Sequence, residues 1–239
     1  GVFSSEKMEI NIGIPQGSII GPLLFIIYLN DIAKVPTNSN QKIINYVDDT
    51  NLLVGADTMP EIITQSEVLL QLTKDWLSKN GLIMNNDKTQ LVLFSSSYWQ
   101  INRPNNIILD NQIAELASST KFLGLHLDEH LNWKKHIDEL AAKLSKVIYG
   151  IRVISKYVNS TSTKIIYFGS FESICKYGIM FWGNSTDIQK IFVIQKRIIR
   201  IINNMSYIQS CRSVFRNSKI MTISALYIFE CLMYLRKNW

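Results

Sequence analysis

The apolar residues of this chain change rhythm near residue 129, and that change limits the possible folds more than any other feature of the sequence. Before it, apolar residues come in short runs separated by turn formers. Ile43 to Val47 and Leu52 to Val54 flank Asp48-Asp49-Thr50, a spacing that predicts a β-hairpin. Thr89 to Ser95 and Phe122 to Leu127 read as further strands, separated by a Pro- and Asn-rich excursion through Asn102 to Asn106. Between them, Ile62, Leu69, Leu72, Trp76 and Leu77 follow a helical period that begins after Thr58 and ends at an Asn80-Gly81 cap, with Trp76 and Leu77 read as core. Ahead of the hairpin, Gly13, Pro15 and Gly17 form a turn-rich entry to an apolar stretch that reaches Ile32. Pro22 sits where a first helical turn tolerates proline, so this stretch is expected to be a buried helix.

After residue 129 the period is helical throughout. Ile137, Leu140, Ala141, Leu144, Ile148 and Ile151 recur at helix spacing, and Ile188, Phe192, Gln195, Ile199 and Ile202 do so again. The expected class is therefore α+β: a short antiparallel sheet backed by helices over 1–129, then an all-helical region over 130–239. With 47% hydrophobic and 18% charged residues the chain can bury a core and is excluded from the disordered class.

Charge follows the same division. Residues 1–120 hold 7 Lys and Arg against 12 Asp and Glu, a net of −5, while residues 121–239 hold 18 against 7, a net of +11; together they give the chain's +6. A basic half beside an acidic half suits a module that grips a polyanion next to one that collects cations, although a basic surface can also be merely solvated. Lys134, Lys135, Lys143 and Lys146 lie on the polar side of the first long helical run, and Lys190, Lys196, Arg197 and Arg200 surround the second.

Cys175, Cys211 and Cys231 show no metal or disulfide spacing, which points to a reducing compartment. His126, His130 and His136 share no obvious face and are assigned no metal. The longest apolar run, Ile19 to Leu29, is broken by Gly21-Pro22 and is too short to span a bilayer, so no membrane partner is expected. The start has neither an initiator Met nor a targeting pattern, and the chain reads as a piece of a longer protein.

Tyr46-Val47-Asp48-Asp49 carries the most chemistry. Two-metal phosphoryl transfer needs hard oxygen ligands at a rigid turn, and adjacent aspartates on a tight hairpin supply them. Alone, an Asp pair at a turn is more often turn chemistry, because Asp bonds its own backbone. Its neighbours decide between the two. Tyr46 to Asp49 resembles the YxDD box of reverse transcriptases. Gly13-Ile14-Pro15-Gln16-Gly17-Ser18 with Gly21-Pro22-Leu23-Leu24-Phe25 resembles the segment that precedes the box in non-LTR retrotransposon enzymes. Trp76 to Phe94 resembles the following helix-turn-strand, and Phe122 to Asp128 resembles the hairpin that leads into the thumb. Tyr177-Gly178, Trp182-Gly183 and Gln195-Lys196-Arg197 are similar to the thumb region of jockey-like or RTE-like insect elements.

That resemblance, which covers the chain from about Gly13 to Trp239, implies a partial polymerase palm over 1–129 and a thumb over 130–239. It implies RNA-templated extension of a DNA primer by dNTPs, within a retrotransposon ribonucleoprotein of cytoplasm and nucleus. Asp48 and Asp49 would ligate two Mg²⁺ ions, and Lys88 would assist the leaving group. Gln16, Gly17, Tyr46 and Val47 would border nucleotide and template, Val47 standing where this class usually has Ala. Lys134, Lys135, Lys143 and Lys146 would hold the nucleic-acid backbone. The family's third metal-binding Asp is expected upstream of this chain, since residues 1–12 offer only Glu6 and Glu9. Without it the chain alone is expected to be inactive, and a remnant that binds nucleic acid but catalyses nothing is the alternative reading.

Overall fold

The computed structural model describes residues 17–96, 106–109 and 112–238, so Glu6, Glu9 and Gly13 to Gln16 lie outside the described residues. The class is α+β. The chain divides into two compact units, Gly1–Thr89 with Pro104–Glu115, and Gln90–Arg103 with Leu116–Trp239.

The first unit opens with helix α1 (Gly21–Leu29), Pro22 in its first turn. The hairpin follows: strands β1 (Gln41–Tyr46) and β2 (Asp49–Val54) pair antiparallel from Gln41↔Val54 to Tyr46↔Asp49. Helix α2 (Met59–Lys79) then starts after Thr58, as its period requires. It ends as Asn80-Gly81 predicts: Gly81 has φ +66, its N–H donates to Ser78 O (3.0 Å), and Leu82 N–H donates to Leu77 O (2.8 Å). That is a Schellman cap, in which glycine takes the left-handed position. A second hairpin, β3 (Asn106–Leu109) and β4 (Gln112–Glu115), begins where the expected excursion through Asn102 to Asn106 ends, the rest of that excursion lying outside the described residues, and α2 packs against both β2 and β3. The core centres on Ile32, Ile43 and Leu69, with Val35, Leu52, Val54, Trp76 and Leu77 around it. Gln41 is buried but satisfied: its side-chain oxygen accepts from Thr37 N–H and Oγ1 (both 3.1 Å), and its Nε2 donates to Gln65 O (3.2 Å).

Helix α1 departs from expectation. Leu23, Ile26 and Ile27 are 58%, 56% and 62% exposed, and only Leu29 is buried. A helix apolar all round needs cover on several sides. Within the first unit it is held at its end, by Leu29 and by the Tyr28 hydroxyl, which donates to the Asn80 carbonyl.

In the second unit the expected strand over Thr89 to Ser95 reduces to one parallel bridge, Leu91↔Leu116, with Ala117 N–H donating to Leu91 O (2.8 Å). The chain beyond Leu116 cannot continue that ladder because it folds on itself. Strands β5 (Ser119–Phe122) and β6 (Leu125–Asp128) form a hairpin, as the resemblance over Phe122 to Asp128 implies, where the apolar pattern alone reads Phe122 to Leu127 as one strand. Its two-residue turn is Leu123-Gly124, with φ +45 and +81, the sign pattern of a hairpin turn that matches strand twist. The expected single sheet is thus three separate two-stranded hairpins among the described residues.

Asp128 shapes the exit. Its Oδ1 accepts from His130 and Asn132 N–H (3.2 and 2.8 Å) and its Oδ2 from Trp133 N–H (2.7 Å), delivering the chain into α3 (Lys134–Ile154). α3 buries His136, Ile137, Leu140, Leu144, Ile148 and Ile151 and packs against α7 (Gln189–Ile202). Between them lie α4 (Ser160–Tyr167) and α5 (Ser173–Lys176), joined by a π turn over Phe168–Glu172, and then α6 (Ile179–Trp182). α8 (Arg212–Asn217) and α9 (Ile223–Asn238) complete the unit; α9 buries Ile223 and Leu226 and leaves Ile228, Leu232 and Leu235 exposed.

Two sequence pairs acquire structural reasons here. Gly178 has φ +64 and a Cβ there would come within 2.9 Å of Leu125, while a Cβ on Gly183 would meet Tyr227 at 2.5 Å and the Ile179 carbonyl at 2.6 Å. Tyr177 donates its hydroxyl to Leu123 O at the β5–β6 turn, and Trp182 Nε1 donates to Tyr177 O (3.1 Å). Gln195 is the polar hub of the core: its Nε2 donates to Tyr167 Oη and Met221 O (2.8 Å each), and its Oε1 accepts from Ile223 N–H (2.9 Å). Burial pushes the Tyr167 phenol far above its ordinary pKa, so the hub stays neutral.

Candidate functional site

The β1–β2 hairpin builds its tip from the core outward. Gln41 and Ile43 are buried and fix the strand's face; Ile44 and Asn45 are half-buried; Tyr46, Val47, Asp48 and Asp49 are exposed. Because Tyr46 pairs with Asp49, the turn consists of Val47 and Asp48 alone. Val47 has φ +55, a region that a β-branched residue occupies only at a cost of about 1–3 kcal/mol. The strain is what a two-residue link exacts here. It leaves Asp48 in the turn and Asp49 at the first strand position, two neighbouring carboxylates that accept no hydrogen bond and form no ion pair among the described residues.

Hard, exposed and unpaired, these oxygens match what Mg²⁺ prefers. Asp48 and Asp49 could therefore each contribute to holding such an ion. No group of three or more His, Cys, Asp or Glu side chains is close enough to enclose a metal among the described residues.

The other sequence-predicted positions lie outside the β1–β2 hairpin. Gly17 has φ +87 and open space where a Cβ would stand, so its backbone rather than crowding calls for glycine. Gln16 lies outside the described residues. Lys88 ends a short 3₁₀ turn (Asn86–Lys88) whose first N–H partner is the Asn85 side chain, 3.2 Å from Lys88 N. Its ammonium is exposed and bonds neither Asp48 nor Asp49.

On α3, at about 100° per residue, Lys135, Lys143 and Lys146 fall within about 80° of one another, opposite the buried stripe of Ile137, Leu144 and Ile151. Lys134 lies about 100° round from Lys135 by the same geometry. Lys135 donates to Ser119 Oγ (2.8 Å), whereas Lys190 is neutralised by Asp138 (2.6 Å) and Asp187 (2.9 Å).

The three histidines play three different parts. His126 Nε2 lies 3.3 Å from Glu139 Oε2, and His130 Nδ1 lies 2.9 Å from Ser95 O. His136 packs its ring 5.7 Å from that of Trp182; burial, and then the charge of His126, lower its pKa, with Glu139 opposing. Sequence reading missed Gln195 and Asp128 as organising residues, and their signals were faint: one amide on an apolar helix stripe, one Asp six residues before a helix.

The comparisons with known proteins agree with one another. Residues 3–127 match the family model described as reverse transcriptase (RNA-dependent DNA polymerase). The chain is similar to the probable RNA-directed DNA polymerase from transposon X-element of Drosophila melanogaster, with 24% identity over 92% of this chain and 25% of that protein. It is also similar to the RNA-directed DNA polymerase from mobile element jockey of Drosophila funebris, 25% identical over 93% of this chain and 25% of that protein. A third relative is the retrovirus-related Pol polyprotein from type-1 retrotransposable element R1 of Bradysia coprophila, 23% identical over 87% and 21%. The chain thus spans about a quarter of the length of the curated relatives it matches. No solved structure matches it.

Proposed function

The chain belongs to the reverse transcriptase (RNA-dependent DNA polymerase) family, and from that premise we propose that it forms the carboxylate-bearing part of a retrotransposon polymerase's palm together with its thumb. The observation that carries the reading is the pair of unpaired carboxylates, Asp48 and Asp49, at a two-residue hairpin tip inside the matched segment. Residues 1–129 are assigned to the palm and 130–239 to the thumb.

The proposed reaction joins the 3′ oxygen of a DNA primer to the α-phosphorus of a dNTP chosen by an RNA template. The bond from that phosphorus to its bridging oxygen breaks, pyrophosphate leaves, and the primer's hydroxyl proton passes to solvent. Asp48 and Asp49 would hold Mg²⁺, which would supply positive charge to offset the charge that develops on the transferred phosphate. Lys88 gives a proton to the pyrophosphate. Gln16, Gly17, Tyr46 and Val47 border the nucleotide and template; the open space beside Gly17 favours this, since no side chain blocks an approaching sugar or base. Lys134, Lys135, Lys143 and Lys146 grip phosphates without reading sequence.

The test is primer extension by the chain fused to the upstream polymerase region of the X-element relative. Asp48→Asn keeps turn-forming capacity and removes one charge, so extension is expected to disappear while the circular dichroism spectrum is unchanged. An Asn variant as active as its parent would refute the assignment. The chain alone is expected to extend nothing, because the described residues gather no third carboxylate beside Asp48 and Asp49. That same observation favours a second reading, a remnant that binds nucleic acid without catalysis. A fused protein that binds template and primer but never extends them would select it.

A further inference from the structure

Residues 188–229 contain seven Lys and Arg and no Asp or Glu. Three of those cations, Lys196 and Arg200 of α7 and Arg212 of α8, converge on one cleft of about 360 Å³, walled by Phe192, Phe215 and Ser210. None of the three forms an ion pair among the described residues. Lys196 and Arg200 are half-buried, unlike the lysines of α3, which are exposed. Like charges gathered around a partly dehydrated cleft repel one another, and an anion seated between them removes that cost.

The cleft is also ordered for the purpose. Arg200 Nε donates to Gln209 O (3.1 Å), which fixes the guanidinium and leaves its terminal amino groups to donate elsewhere. Lys196 Nζ rests 4.7 Å from the centre of the Phe192 ring, and that ring lies 6.1 Å from Phe215 at an interplanar angle of 31°. The floor is buried: Cys211 directs its thiol to Lys196 O at 3.7 Å. Two planar guanidinium forks and an ammonium lining one cleft suit the oxygens of a phosphate, and the volume takes a phosphate with part of its nucleoside.

We propose that this cleft is a phosphodiester-binding site for a single-stranded segment of nucleic acid, separate from the lysines of α3, none of which lines it. A single strand fits better than a duplex because its unstacked nucleotides are free to enter a walled cleft, whereas paired and stacked ones are not. The inference rests on the reading that this chain handles nucleic acid, but not on its catalytic residues.

Binding of the full chain to a short fluorescent oligouridylate, followed by anisotropy across a salt series, tests it. Arg200→Gln with Arg212→Gln is expected to weaken binding about tenfold or more. It should also make the slope of log K against log salt less negative by about 1.4, that is about 0.7 for each lost phosphate contact on a single strand. Because Arg200 also anchors the Gln209 loop, Arg212→Gln alone is the second variant; its side chain is exposed, and about half the slope change is expected. Duplex RNA should compete poorly. Polyglutamate that competes as well as the oligonucleotide would mean a general anion or acidic-protein site and would overturn the proposal. So would no binding by the parent chain, or binding that Lys135→Gln, Lys143→Gln and Lys146→Gln weaken but both arginine variants leave intact. That last result would spare the polymerase reading, which stands or falls on Asp48.

Discussion

The two units of this chain are built to different standards. In the second, twenty buried apolar residues form one cluster among the described residues, from Ile137 to Leu226, with a satisfied polar hub at its centre. In the first, the corresponding cluster holds Ile32, Ile43 and Leu69, while a wholly apolar helix faces outward. Buried area is what holds a fold against chain entropy. The second unit therefore carries the means of its own stability, while the first presents its candidate hairpin on a scaffold that these residues only begin to enclose. The candidate chemistry sits on the weaker unit and the candidate grip on the stronger.

The comparison is most exposed to breaking at Trp182, fully buried and bonded to Tyr177 O. Trp182→Ala is expected to cost about 3–5 kcal/mol in urea denaturation. A loss below about 1 kcal/mol, the size of an ordinary surface change, would show that the second unit is not the stable one.

Next in size is a pair of glutamines. Gln195→Leu strands the Tyr167 hydroxyl, Met221 O and Ile223 N–H inside the core, and about 3 kcal/mol should be lost. Gln41→Leu frees groups nearer to water, at Thr37 and Gln65, and should cost about 1 kcal/mol. Equal losses would erase the distinction between the two cores.

Acid should act on the second unit through His136. Its folded pKa lies below 6.5, so the unfolded chain takes up the proton first. The stability it contributes is complete above pH 6.5 and is lost as pH falls from there toward the folded pKa, with a slope of at most about 1.4 kcal/mol per pH unit. Melting curves of the parent and of His136→Gln should converge over that window; parallel curves would remove His136 from the account.

Smaller effects sharpen the picture of the first unit. Val47→Gly should relieve the positive φ and stabilise the hairpin by about 1 kcal/mol, while loosening the tip on which Asp48 sits. Leu23→Gln with Ile27→Gln should change stability by no more than about 0.5 kcal/mol, since both side chains are exposed. A larger loss in hydrogen-exchange or denaturation measurements would reveal cover for α1 that the described residues do not supply.

What could be read in advance was local. The periods of α2, α3 and α7, the Asn80-Gly81 cap and the β1–β2 hairpin all follow from residues within one or two turns of each other, and each lies where the pattern places it, except that the hairpin turns at Val47-Asp48 rather than over Asp48-Asp49-Thr50. Features that depend on distant partners were not legible. Thr89 to Ser95 has strand-like composition but finds a partner only at Leu116. In Phe122 to Leu127 the apolar pattern alone conceals the turn, because Leu123, a residue that disfavours positive φ, occupies half of it, whereas the resemblance does imply a hairpin there. The apolar composition of α1 suggests burial, yet burial belongs to the neighbours as much as to the helix. The same holds for the site: adjacent aspartates at a turn are a local fact, whereas the path from Lys88 to Asp48 is a tertiary one, and no bond joins them.

The shortness of the Val47-Asp48 link limits how this segment can change over generations. Most loops drift in length, because an added residue bulges into water. Here an inserted residue that shifted the register would turn Leu52 and Val54 away from Ile43 and bring their polar neighbours inward. Descendants of this sequence can exchange the residue at position 47 for another, but a gain or loss of even one codon between Tyr46 and Asp49 would misplace a whole strand at once.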